Sequence, residues 1–124
     1  MNYRLYVVRV FTVNWDTALA FYRDTLGWPL VFADSDMGWA QFAMGGCDLG
    51  LERMDPSDPE ADELVGRFVG CSIEVDDINA AHAELVAKGV SFVAPPEQQP
   101  WGGYLAHFRD PDGNELTLVG TAGN

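Results

Sequence analysis

Apolar and polar residues alternate along several short stretches of this chain, the pattern that half-buried β-strands produce. The clearest two stretches are joined by Asp110-Pro111-Asp112-Gly113-Asn114. In such a turn proline presets φ, aspartate side chains bond nearby backbone N–H groups, and glycine accepts a positive φ. We therefore predict a hairpin with strands Tyr104–Phe108 and Leu116–Val119, and a weaker hairpin between Trp39 and Arg53.

Two other segments space their apolar residues as helices do. The first runs from Trp15 to Leu26, and the second starts at Asp76 or Asp77 and runs to Lys88. A capping residue precedes each segment and a glycine ends it, as at natural helix termini. Further strands are predicted at Leu5–Phe11, Leu30–Ala33, Val69–Val75 and Val90–Ala94.

The predicted order of elements is therefore β-α-β-β-β, and it occurs twice. Four residues of the first copy precede their counterparts in the second by 62 positions: Val13, Asn14, Ala18 and Gly27 match Val75, Asp76, Ala80 and Gly89. Such a repeat indicates two copies of one supersecondary unit. We place the first module at residues 1–53, a proline- and acid-rich linker at 54–66 and the second module at 67–120, in a single domain of 124 residues.

The net charge of the chain limits the classes of molecule that it is expected to bind. Nineteen acidic residues against seven basic ones give a net charge of −12. Such a field repels phosphate backbones, which argues against nucleic acid as a partner. It favours a cationic small molecule, although an acidic surface also serves solubility alone.

The apolar runs and the cysteines indicate the cellular compartment of the protein and whether it enters a membrane. No apolar run approaches the roughly 18 residues that span a membrane, so we expect no membrane partner. The N-terminus alternates like a strand and does not resemble an export signal. Cys47 and Cys71 then indicate reduced thiols, and we expect a cytoplasmic protein.

Four segments carry a resemblance to a known family: Ala20-Phe21-Tyr22-Arg23-Asp24-Thr25-Leu26-Gly27, Val75-Asp76-Asp77, Pro100-Trp101-Gly102-Gly103 and Phe108-Arg109-Asp110-Pro111-Asp112-Gly113-Asn114. In this order and spacing they resemble the vicinal oxygen chelate superfamily, the group of glyoxalases, bleomycin resistance proteins and extradiol dioxygenases. The resemblance covers roughly Tyr6 to Gly120. It implies an α+β fold in which two tandem βαβββ modules form a curled, mixed eight-stranded sheet, a half-open cup with helices outside. It also implies a homodimer, since chains pair in many relatives.

The resemblance further implies where a metal ion would lie. Metal-using members place His, Gln or Glu at one position on each of four strands, and the matching positions here are Val7, Gly50, Gly70 and Thr117. None of these is a good ligand for a divalent ion. We therefore expect no metal and no other cofactor.

Strand parity predicts which side chains line the cup. One set is uniformly apolar and should pack beneath the helices: Ala40, Phe42, Leu49, Leu51, Ala106, Phe108, Leu116 and Leu118. The mixed set should face a ligand, together with Trp101 from a glycine-flanked loop. The predicted ligand-binding residues are Arg9, Phe11, Trp39, Gln41, Glu52, Glu74, Trp101 and His107.

Several roles within this set stay open. His107 either bonds to a neighbouring strand or forms an acid–base site with Glu52 or Glu115. Trp101 either stacks on a ligand above Trp39 or plugs the core or a dimer contact.

The two charged residues of the set also allow alternatives. Arg9 and Glu74 either pair with each other or orient a polar ligand.

Three functions follow from these residues. The first is a metal-independent protein that binds an aromatic or cationic small molecule in the cup. The second is a lyase, isomerase or dioxygenase with a displaced metal site, or with a metal-free acid–base step at His107 and Glu115. The third is a non-catalytic interaction domain whose cup is filled by side chains.

Overall fold

The computed structural model describes residues 1–121, and the chain divides into two compact units, one of residues 1–66 and one that begins at Arg67. The strands of the first unit are β1 (Val7–Thr12), β2 (Leu30–Asp34), β3 (Trp39–Phe42) and β4 (Asp48–Arg53). Its helices are α1 (Trp15–Ala20) and α2 (Ala61–Leu64). Residues Phe21–Thr25 continue α1 as a π-helical turn.

The first sheet has the strand order β1-β4-β3-β2, with β1 parallel to β4 and the other pairs antiparallel. Its apolar face is buried against the helical segment. Phe42 on β3 is fully buried and lies 6.0 Å, centre to centre, from the ring of Tyr22 in the π-helical turn. Burying one such aromatic side chain stabilises a fold by about 1.5–3 kcal/mol.

The second unit contains β5 (Phe68–Val75), α3 (Ile78–Ala87), β6 (Ser91–Phe92), β7 (Glu97–Gln98), β8 (Tyr104–Arg109) and β9 (Glu115–Gly120). Its sheet has the order β5-β9-β8-β6, and β7 also pairs with β8. Asp77 caps α3, because its carboxylate accepts a hydrogen bond from the Ala80 N–H at 3.1 Å. This resolves the choice between Asp76 and Asp77 as the capping residue.

The turn between β8 and β9 is held by one buried carboxylate. Asp110 Oδ1 accepts from the backbone N–H groups of Asp112 and Asn114, both at 2.9 Å, and its Oδ2 accepts from Asn114 Nδ2 at 2.9 Å. Gly113 has φ +84°, a value that favours glycine. The predicted hairpin is confirmed. As the sequence indicates, an aspartate side chain bonds the backbone N–H groups of the turn and a glycine takes the positive φ.

The α+β class, the repeated order of elements and the buried apolar set are confirmed. All eight residues of that set are 3% exposed or less. The strand count differs, because two sheets of four and five strands are described instead of a single sheet of eight. The predicted strand Val90–Ala94 is shortened to β6, and β7 lies beyond it, in a segment where no strand is predicted. Pro95 and Pro96 lie between them, and proline has no N–H to pair within a sheet.

Two further segments differ from their predictions. The first strand begins at Val7, where its partner strand β4 also begins, and Leu5 is exposed. The predicted linker contains α2, and two of its side chains, Met54 and Ala61, are buried. The Met54 N–H also donates to the Thr12 carbonyl at 2.8 Å. None of the helices within residues 1–121 is both long and apolar enough to cross a membrane.

Candidate functional site

The register of the first sheet brings all five predicted site residues of that unit onto one face. Trp39, Glu52 and Phe11 are opposite one another across β3, β4 and β1, and Gln41, Gly50 and Arg9 form the adjacent row. Asp48 pairs with Val7 in the row beyond. Residues directly opposite in a sheet point to the same side. We call this set the first face: Val7, Arg9, Phe11, Trp39, Gln41, Asp48, Gly50 and Glu52.

The six-membered ring of the Trp39 indole occupies the space beside Gly50. A Cβ atom at Gly50 would collide with Cη2 of the indole and would lie 2.8 Å from Cζ2, closer than real Cβ contacts. Only glycine therefore fits beneath this ring. The indole occupies the space that a side chain at position 50 would take.

A polar network holds the Trp39 ring in this position. Its Nε1 donates to Gln41 Oε1 at 3.3 Å, and Gln41 Nε2 donates to Asp48 Oδ2 at 2.7 Å. Gln41 Nε2 also donates to the Tyr6 hydroxyl at 3.1 Å. Gln41 thus connects the indole, a phenol and a carboxylate on one surface.

Arg9 and Glu52 pair on the same face. Arg9 Nη1 lies 3.1 Å from Glu52 Oε1, with the two side chains 55% and 35% exposed. The guanidinium also lies 5.3 Å from the centre of the Phe11 ring, which is 5% exposed. An exposed ion pair adds at most about 1 kcal/mol of stability, so its main effect is on the charge of the face. Glu74 lies on β5 of the second unit, and its predicted pairing with Arg9 stays a prediction.

His107 belongs to a corresponding face of the second sheet. It is opposite Thr117, which is opposite Ser72, and His107 Nδ1 lies 2.8 Å from Thr117 Oγ1. The Phe68 ring lies 6.0 Å from the imidazole, centre to centre. This is the hydrogen bond to a neighbouring strand that one interpretation of His107 predicts. We call Phe68, Ser72, Glu74, His107, Glu115 and Thr117 the second face.

The proposed acid–base partner of His107 has another contact. Glu115 Oε1 lies 3.6 Å from Arg109 Nη2, on the adjacent strand β8. The carboxylate is therefore oriented by a guanidinium. A catalytic pairing of His107 with Glu115 stays a prediction.

Trp101 lies at the tip of the β7–β8 hairpin. The loop is closed by the Gly102 N–H, which donates to the Gln99 carbonyl at 2.9 Å, and by the Gln99 N–H, which donates to the Gly103 carbonyl at 2.8 Å. The indole folds over Gly103 and is 64% exposed. The interpretation of Trp101 as a plug of the core is therefore wrong, and a ligand lid or a contact with a second chain stays a prediction.

Comparison with known proteins agrees with this architecture. The family model described as the Glyoxalase/Bleomycin resistance protein/Dioxygenase superfamily matches residues 4–118. The chain belongs to this superfamily. It is 33% identical over 113 residues to a bleomycin resistance protein of Klebsiella pneumoniae, covering 86% of this chain and 83% of the relative.

Solved structures of similar proteins show the same fold. A member from Sphaerobacter thermophilus superposes with a TM-score of 0.80 at 32% identity, over 97% of this chain and 98% of the other. TnmS3, described as an antibiotic binding protein from a Streptomyces species, superposes with a TM-score of 0.72 at 30% identity, over 98% and 97% of the two chains. The resemblance inferred from the sequence motifs is confirmed.

The residues at the four positions where the sequence resemblance predicts metal ligands do not fit a metal ion. Val7 is apolar, Gly50 lies under the Trp39 ring, and Gly70 falls where the pairing of β5 with β9 shifts register. Thr117 contributes a hydroxyl that already contacts His107. Within residues 1–121 no three His, Cys, Asp or Glu side chains come together as a metal cluster would require. A metal-free protein remains a prediction, which elemental analysis of the purified protein tests.

The predicted site omits two polar residues that contact Gln41, namely Asp48 and Tyr6. Asp48 is the first residue of β4, and its alternation with Gly50 and Glu52 along that strand places all three on one side. Tyr6 lies immediately before β1, which begins at Val7, so strand parity does not determine the direction of its side chain. No sequence signal indicates its contact with Gln41.

Proposed function

We propose that this protein binds an aromatic or cationic small molecule on its mixed sheet faces, without a metal ion and without chemical turnover. One observation carries the proposal. At a position where metal-using members hold a ligand residue, this chain has Gly50 with the indole of Trp39 laid across it. The Trp39 ring thus fills the space that the side chain of a metal ligand at position 50 would need.

The chemistry of the first face supports this choice of ligand. A flat ring stacks on an indole with non-directional affinity, and a cation over such a ring gains about 0.5–2 kcal/mol. The net charge of −12 raises the rate at which a cation arrives. Trp39 is half-buried, and Trp101 supplies an exposed indole on the second unit.

The relatives support the same class of function. The protein from Klebsiella pneumoniae is named for bleomycin resistance, and TnmS3 is described as binding an antibiotic. Both match this chain over most of its length. A binding protein of this type needs an aromatic, partly polar surface and no reacting group.

A catalytic alternative rests on His107, whose imidazole is oriented by Thr117 at 2.8 Å. An oriented, half-buried imidazole is suited to moving a proton. Turnover of a ligand by the wild-type protein that is lost in His107→Ala would favour this alternative. Binding without any change in the ligand favours the proposed function.

The direct test is calorimetric titration with a flat cationic dye and an anionic dye of matched shape. We expect the cation to bind more tightly. Trp39→Ala should weaken binding of the cationic dye by about 1–3 kcal/mol, the usual contribution of one stacked ring. Trp101→Ala should weaken it by a similar amount. Val86→Ala, an exposed apolar truncation on α3, is the matched control and should change nothing. Equal affinities for both dyes, or two silent tryptophan variants, would refute the proposal.

A further inference from the structure

One carboxylate of the first face is only partly used by the fold. Asp48 lies at the start of β4 and is half-buried. Its Oδ2 accepts from Gln41 Nε2 at 2.7 Å, while Oδ1 makes no hydrogen bond within residues 1–121. The orientation of Gln41 is fixed, because its Oε1 accepts from the Trp39 indole. Asp48 therefore presents one oxygen atom to whatever occupies the face.

The other two carboxylates on this side of the first sheet, Glu52 and Asp34, already have partners within the protein. Glu52 pairs with Arg9 at 3.1 Å. Asp34 lies opposite Trp39, and its Oδ1 accepts hydrogen bonds from the backbone N–H groups of Asp36 and Met37 at 2.9 and 3.1 Å. Together with Asp34, the first face thus carries one cation and three carboxylates. Within residues 1–121, Asp48 is the one of the three that has neither an ion pair nor a backbone N–H donor.

A cation already lies close to this corner. The Arg4 guanidinium is 6.0 Å from the centre of the Tyr6 ring, and the Tyr6 hydroxyl contacts Gln41 beside Asp48. The aromatic ring and the carboxylate together make a surface that suits a positive group. A ligand cation at this corner would meet the Tyr6 ring and the Asp48 carboxylate.

We propose that Asp48 anchors a protonated amine, and that the ligand is a flat aromatic monocation with a defined distance between its ring and its charge. This rests on the proposed function, since it assumes a ring stacked on Trp39. The indole lies over Gly50, and Asp48 is two residues further along β4. A strand rises about 3.3 Å per residue, so ring and charge are about 7 Å apart.

The test uses naphthylalkylamines with tethers of increasing length and the corresponding alcohols, titrated by calorimetry. We expect the wild-type protein to prefer the amine, with an optimum at a tether of about three methylene groups, which spans that distance. Asp48→Asn should lower the affinity for the amine roughly 10- to 100-fold, because a hydrogen bond to a charged group is lost. The affinity for the alcohol should not change. Asp62→Asn, an exposed change of the same charge on α2, should alter neither by more than about twofold at physiological salt.

A second variant guards against misfolding of Asp48→Asn. Asp48→Glu keeps the charge and extends it, so the best tether should shorten by about one methylene group. An unchanged optimum overturns the anchor, as does an equal loss in Asp48→Asn and Asp62→Asn. Binding that depends on Trp39 but not on Asp48 refutes only the anchor. No binding of either compound refutes the proposed function and the anchor together.

Discussion

At the scale of single residues, the contact between Trp39 and Gly50 decides what the first face can hold. Gly50→Ala places a methyl group where the indole lies, so the ring must move and its bond to Gln41 is lost. We predict that Gly50→Ala lowers the free energy of unfolding by about 1–2 kcal/mol, as overpacking does. Urea denaturation measures this change.

The matched control for that prediction is the double variant. Once Trp39→Ala has removed the ring, Gly50→Ala should cost nothing beyond its effect on the strand. The two changes should therefore be non-additive by about 1 kcal/mol or more. Additive effects would mean that the indole does not lie over Gly50 in solution.

The sequence predicts some of these residues and misses others for physical reasons. Alternation along a strand has a period of two, so Trp39, Gln41 and Glu52 were correctly placed on one side. That Gly50 leaves space for a ring is a packing fact, which no pattern along the chain reveals. The contact of Tyr6 with Gln41 likewise depends on where β1 begins, and strand ends are poorly determined by sequence.

At the scale of elements, the β8–β9 hairpin depends on the carboxylate of Asp110. The residue is 5% exposed and accepts three hydrogen bonds at 2.9 Å. We predict that Asp110→Ala lowers the free energy of unfolding by about 2–3 kcal/mol, because it leaves buried donors unsatisfied. Thermal or urea denaturation reports the loss.

An exposed turn of similar chemistry provides the comparison. Asp58 Oδ1 accepts from the Glu60 N–H at 2.9 Å, but that bond is open to water. Asp58→Ala should therefore have a much smaller effect than Asp110→Ala. Equal losses for the two variants would show that burial of the Asp110 network contributes nothing.

The elements show which sequence signals are reliable. Turn chemistry predicted the Asp110 hairpin, and the capping aspartate and Gly89 bounded α3 to within two residues. The predicted strand Val90–Ala94 ends before Pro95, as the structure has it, whereas β7 has only two residues, too few for alternation along the chain to indicate a strand. The π-helical turn at Phe21–Thr25 has the same apolar spacing as an α-helix and carries no separate signal.

At the scale of the whole molecule, we predict a homodimer. Strand β2 lies at the edge of the first sheet, and its residues Leu30, Val31 and Phe32 are 39%, 62% and 46% exposed. An apolar edge strand is a surface that proteins cover by pairing. Sedimentation at micromolar concentration should give twice the chain mass, and a species of 13.6 kDa alone would contradict the prediction.

The edge strand also offers a controlled variant. Val31→Lys places a charge on β2 and should shift the protein toward monomer. Val86→Lys, the same substitution at another exposed valine, on α3, should leave the assembly intact. Dissociation by both variants would place the contact elsewhere.

The central claim is that this member of the superfamily binds its ligand without a metal ion, on an aromatic surface at a former ligand position. The most direct measurement is the dissociation constant of the cationic dye before and after extensive treatment with EDTA. We predict the same value within about twofold, since Val7, Gly50, Gly70 and Thr117 provide no carboxylate or imidazole ligand. Binding that is abolished by EDTA and restored by one equivalent of Zn²⁺, Ni²⁺, Mn²⁺ or Fe²⁺ would contradict the claim.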